Sequence, residues 1–230
     1  MQHGFAPFRP HFYSLSYRQL LYPCSPLADG IPELQGHHPT SAGNEMSQCL
    51  SVAMGSIEMS LSNNRMVAET MARGVEAVQR QAVKGEQTAS DWDAAAYQEI
   101  LTSFVGSNPE TFGGGIWFEP YQYRPEQRYF SPYCMRQMEP FTYVDNYSLG
   151  EGVYYTDQDW YTNAANTTQK SVWSAPYYDE FAQISMVTSS APIYDETGRF
   201  LGVATADIDL TQMQRMVLSL DVVANGRTSD

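Results

Sequence analysis

The stretch QISMVTSSAPIYDETGRFLGVATADIDL, residues 183–210, decides the fold. Two segments, 183–195 and 199–210, alternate with the period of two that a pleated strand imposes. DETG, residues 195–198, lies between them as a tight hairpin connection, with Gly198 placed where a positive φ is wanted. Upstream, TFGGGIWFEP (111–120), QRYFSPYCMR (127–136) and EPFTYVDN (139–146) show the same period and are rich in aromatics. They read as further strands of one antiparallel sheet. Gly113–Gly115 is not a phosphate loop, because no Lys-Ser/Thr follows it and no βαβ pattern surrounds it; it reads as a close-packed or bulged strand start.

Ahead of the strands the period changes. From Asn44, the residues Met46, Leu50, Ala53, Ile57, Leu61, Ala68, Met71, Val75 and Val78 recur at steps of three, four or seven. This predicts an amphipathic helix of about 35 residues, ~50 Å long. Such a length suits a spine, a coiled-coil-like homodimer seam, or a link to a membrane anchor. A second helix is predicted in SDWDAAAYQEILTSFVG (90–106), with Ser90 and Asp93 as a capping box and Ala94, Tyr97, Ile100, Leu101 and Phe104 buried. TQMQRMVLSL (211–220) closes the chain's pattern as a helix, with Thr211 as its expected cap. Helices followed by a hairpin-connected sheet define an α+β fold.

Residues 1–44 hold six prolines and all four histidines and read as an irregular or disordered leader. Three cysteines, Cys24, Cys49 and Cys134, have no metal-site spacing, and no cofactor or metal is indicated. A formal charge of −13 with few, scattered cations argues against a nucleic-acid partner. No run approaches the ~18 apolar residues of a membrane span.

No histidine lies in the folded part and there is no GxSxG, so triad hydrolysis is not supported and no enzyme activity is expected. Three segments stand out instead. DWY (159–161) offers flat aromatic walls, PYYDE (176–180) a tyrosine hydroxyl and carboxylates, and ATADIDL (204–210) a carboxylate inside an apolar strand. A buried Asp207 is costly unless hydrogen bonds or a positive charge reach it. Backbone amides or a ligand ammonium would both serve, and aromatic faces would add cation–π attraction to the second.

DWYTNA (159–164) and SVWSAPYYDEFAQISMVTSSAPIYDETGRFLGVATADIDLTQM (171–213) resemble the Cache family of extracytoplasmic sensor domains, specifically the membrane-distal part of a double Cache module. Such modules occur in chemoreceptors, sensor histidine kinases and diguanylate cyclases. The resemblance implies a PAS-like antiparallel β-sheet flanked by helices, on a long N-terminal helix that leaves the membrane. It implies a pocket between the sheet and its loops, with Trp160 and Tyr161 as the aromatic pair, Tyr177 and Asp179 as the YxD element, and Asp207 as the strand carboxylate. In amino-acid-binding members the two acids and a tyrosine hold the ligand ammonium, and an arginine two residues before the tryptophan holds its carboxylate. Here that position is Gln158. A glutamine brings no charge, so an amine or a small polar metabolite is favoured over an α-amino acid.

The expected organisation is a leader over 1–44, a long helix over 45–84, a Cache ligand-binding domain over 85–220 and, over 221–230, a truncated link to a missing membrane-proximal subdomain. The membrane anchor and output domain are expected to lie outside this chain. The alternative function is an extracellular carbohydrate-binding or carbohydrate-active module, suggested by 13% aromatic residues and by Tyr121, Tyr123 and Tyr129. That reading needs an exposed ring platform, whereas the sensor reading buries Trp117 and Trp160.

Overall fold

The computed structural model describes residues 40–83, 94–137, 141–144, 147 and 152–225. The expected leader, the four histidines, Cys24 and the Ser90–Asp93 capping box lie outside the described residues. Among the described residues, four α-helices and seven strands follow in the order α1 (Thr40–Val83), α2 (Ala94–Ser107), β1 (Gly113–Phe118), β2 (Tyr133–Met135), β3 (Thr142–Val144), α3 (Asp159–Ala165), β4 (Val172–Trp173), β5 (Tyr177–Asp179), β6 (Ile184–Tyr194), β7 (Phe200–Asp209) and α4 (Leu210–Asn225), with one 3-10 turn over Tyr155–Asp157. All pairings are antiparallel, and the order across the sheet is β3-β2-β1-β7-β6-β4, with β5 also on β6. The fold is α+β, with the long N-terminal helix the sequence predicts.

The hairpin that decides the fold forms β6 and β7. Asp195 holds its turn: its backbone N–H donates to Arg199 O and its Oδ1 accepts from Thr197 and Arg199 N–H. Gly198 adopts φ +83°, which a side chain would strain. Two strands escape the periodicity. β4 and β5 have two and three residues, too few to show an alternation.

Alternation along β1 and β7 divides the core. Ile116, Phe118, Ala204 and Ala206 face α1 and α2, meeting Ala68, Met71, Leu101 and Val105. Trp117 and Val203 face the other way, onto a second core of aromatics with Trp160 and Tyr161 of α3. α1 begins at Thr40, ahead of the change in pattern at Asn44, and runs for 44 residues. At 1.5 Å per residue that is about 66 Å, whereas an 11-residue strand spans about 37 Å. The sheet therefore covers only the C-terminal part of the apolar stripe. Ala68, Met71, Ala72 and Val75 are buried, while Leu50, Val52, Met54 and Met59 are exposed.

Polar bonds fix the covered part of α1. Thr111 Oγ1 donates to Asn64 Oδ1, Arg73 donates to Pro192 O, and Tyr194 N–H donates to Glu76 Oε1. At the far end, the Asp209 carboxylate accepts the Thr211 N–H, so Asp209 rather than Thr211 caps α4. No described helix is long and apolar enough to cross a membrane.

Candidate functional site: an acidic, aromatic cavity

Asp207 sits on β7 with its side chain on the face away from α1 and is 2% exposed. Neither reading of the bare sequence describes how its charge is met. Two side-chain hydroxyls do it: Tyr133 donates to Oδ2 and Thr188 to Oδ1, both at 2.7 Å. Burial nevertheless pushes the Asp207 carboxyl up to about 7, against the pull of the two hydroxyls, and the neighbouring Asp179 adds to the rise. The same burial, with the Asp207 charge, holds Tyr133 well above the usual phenol range, so it stays a donor.

Thr188 has one proton and gives it to Asp207. The 2.8 Å contact between Tyr177 and Thr188 must then run from the tyrosine, forming a relay Tyr177→Thr188→Asp207. Asp179, at the end of β5, is also buried. Its Oδ1 accepts from Tyr147 at 2.5 Å and from the Ala182 N–H at 2.7 Å.

The triple glycine of β1 makes this arrangement sterically feasible. A Cβ on Gly113 would lie 2.2 Å from the Tyr133 Oη, and one on Gly115 would lie 2.8 Å from the Trp117 ring. Because both glycines are on the cavity face, Tyr133 can cross β1 to Asp207 and Trp117 can fold back to donate its Nε1–H to Thr205 at 2.8 Å. Trp117 meets Trp160 of α3 at 4.7 Å between ring centroids, and Tyr147 packs edge-on against Trp117. Among these groups remains a cavity of about 10 Å³, the room of one water molecule. Among the described residues, no Lys, Arg or His lines it.

Of the six residues singled out in the sequence, Trp160, Tyr177, Asp179 and Asp207 line this cavity. Gln158 and Tyr161 do not. Gln158 precedes α3 and donates its side-chain amide to Tyr154 O on the surface. Tyr161 is buried one position along, with its hydroxyl donating to Glu119 at 2.6 Å. Successive helical residues point about 100° apart, so when Trp160 turns inward to the sheet, Tyr161 is carried sideways toward Phe200. The residues that sequence reasoning passed over are Tyr133, Tyr147 and Thr188. Only the glycines hinted at them.

A long helix on one face of an antiparallel sheet, with a small cavity of acids and rings on the other, is a layout that suits a sensor domain. The chain belongs to the family described as methyl-accepting chemotaxis protein-like, first PDC sensor domain, whose model matches residues 97–215. The resemblance to receptor sensor domains is thereby borne out. Methyl-accepting chemotaxis protein McpC of Bacillus subtilis is 37% identical over 79 residues, which are 34% of this chain and 12% of that receptor. The chain thus matches a small part of McpC. The ligand-binding domain of the amino acid chemoreceptor PctC of Pseudomonas aeruginosa PAO1, solved with GABA, superimposes with a TM-score of 0.52 at 15% identity, covering 76% of this chain and 66% of that one. The sensory domain of the Campylobacter jejuni chemoreceptor Tlp3 gives 0.56 at 15% identity, over 76% of this chain and 63% of that one, and has also been solved with isoleucine bound. At these identities the solved structures share the fold.

Proposed function

We propose that this domain senses a small amine-bearing metabolite on the outer face of the membrane, as the input of a receptor. The observation that supports it is the pairing of two buried acids, Asp179 and Asp207, in a cavity with tryptophan walls and no cation among the described residues that line it. An ammonium group would offset one of the two negative charges and donate hydrogen bonds to the carboxylates, and Trp117 and Trp160 would add cation–π attraction. GABA and isoleucine, bound by the solved neighbours, both carry an amine.

The cavity has the room of one water, less than an amine ligand needs. Ligand selects a wider form, and the change passes to α1 through the ties that Asn64, Arg73 and Glu76 make to the sheet region. Residues 85–220 act as the sensing unit and 45–84 as the carrier helix. Its exposed Leu50, Val52, Met54 and Met59 would form the seam of a homodimer. Of the tyrosines behind the carbohydrate alternative, Tyr121 is exposed, Tyr129 half-buried and Tyr123 buried, and Trp117 and Trp160 are buried, so these rings do not form one exposed platform.

Calorimetric titration with primary amines, α-amino acids and amine-free carboxylates tests the reading. Amines should bind, and Asp207→Asn should weaken them by about tenfold or more. Equal binding to the wild type and the variant, or a preference for amine-free carboxylates, would overturn it.

A further inference from the structure

The roomier space in the domain lies on the opposite face of the sheet from Asp207. Arg65 and Glu69 on α1, together with residues 169–173 leading into and forming β4, enclose an open cleft of about 360 Å³. That is within the roughly 300–1,000 Å³ of small-molecule sites. A short bond builds it: Ser171 Oγ donates to Glu69 Oε1 at 2.6 Å, pinning the 169–173 segment against the helix. Arg65 lies one turn before Glu69 on the same helical face, and therefore over the same segment.

The polar groups of this cleft are unevenly satisfied. Glu69 is occupied by Ser171. Arg65 and Lys170 are exposed, and neither is among the ion pairs formed between described residues. Trp173, which also lines the cleft, keeps its indole N–H buried without a hydrogen-bond partner. Ser189 lies opposite Trp173 in the β4–β6 register, and its hydroxyl is likewise buried and unpartnered. A buried donor left unpaired is destabilising, and an acceptor that reached it would relieve that cost. With two cations against one engaged carboxylate, the cleft is a locally positive place on a chain of net charge −13.

We infer that the α1–β4 cleft is a second ligand site, for a small oxyanion. Arg65 and Lys170 supply the charge, and the Trp173 indole N–H supplies a directed donor. Phosphate and carboxylate metabolites share this chemistry. The site stands independently of the amine cavity, from which the sheet separates it.

The test follows the Trp173 indole resonance of the full chain, assigned with Trp173→Phe, during titration with sodium phosphate or sodium succinate at constant ionic strength. A saturable shift is expected with phosphate, succinate or both, and the responding arm names the source. The double variant Arg65→Gln/Lys170→Gln, which alters exposed side chains only, should weaken the shift by about tenfold or more. Absence of a saturable shift with either anion would overturn the inference, as would an unchanged shift in the double variant. So would a cleft filled by a second copy of the chain, seen as a dimer that the double variant dissociates without any anion dependence.

Discussion

Thr188 on β6 and Asp207 on β7 are register partners, and the threonine hydroxyl donates to the carboxylate at 2.7 Å. The bond joins the two strands of the hairpin that decides the fold to the chemistry of the cavity. Thr188→Val keeps the shape and removes the donor. It strands the Tyr177 hydroxyl as well, so the expected loss is about 1–3 kcal/mol in denaturant unfolding. Ser174 still accepts the Thr188 backbone N–H, so the strand itself should persist.

Gly113→Ala tests the steric path from Tyr133 to Asp207. The new methyl would fall 2.2 Å from the phenol oxygen, and the ring must leave. The predicted result is an Asp207 short of one hydrogen bond, a destabilised domain and an amine affinity weakened about tenfold. Tyr133→Phe removes only the oxygen that the methyl meets. Combining the two changes should therefore cost less than the sum of the single changes in a double-mutant cycle.

The ligand-free domain should lose stability as pH rises from about 4 through about 7. Asp207 has a folded value of about 7 against an ordinary 3.8, so the folded state holds a proton that the unfolded state releases. Its stabilising contribution is complete below the unfolded value and is lost on passing the folded one. Asp195, lowered to about 2 by Thr197 and Arg199, acts in the opposite sense but only below about pH 4. Unfolding midpoints compared at pH 5 and pH 8 should therefore fall in the wild type and fall less in Asp207→Asn.

Gln158→Ala and Tyr161→Phe separate the geometry from the sequence motif. Neither side chain lines the cavity, so both variants should bind amine within about twofold of wild type. Tyr161→Phe should still cost about 1 kcal/mol, because Glu119 loses its hydroxyl partner. A large affinity loss in either would show that the motif residues reach the ligand.

The parts of the fold that could be read from the chain are those whose period extends over many residues. β6, β7 and α1 have 11, 10 and 44 residues, long enough for a strand or helix period to show. β4 and β5 are too short to carry a period, and the cap at Asp209 competes with a neighbour of equal propensity. At the site, Asp207 stood out because a carboxylate in an apolar strand needs an explanation, and Asp179 through PYYDE and the YxD element of the resemblance. Tyr133 and Thr188 did not, because a tyrosine or threonine in a strand is ordinary. Their roles depend on cross-strand register and on a glycine 20 residues away in the chain from Tyr133.

Proton release on binding tests the central claim most directly. An ammonium beside Asp207 must drive its carboxyl to the ionised form, so calorimetric titration with a primary amine near pH 6.5, in buffers of different ionisation enthalpy, should show a fraction of a proton released per ligand. Affinity should rise between pH 5 and pH 8 as the carboxyl ionises. In Asp207→Asn the release should vanish and the affinity fall. Amine binding with no proton release in the wild type, and with unchanged affinity in Asp207→Asn, would contradict the account.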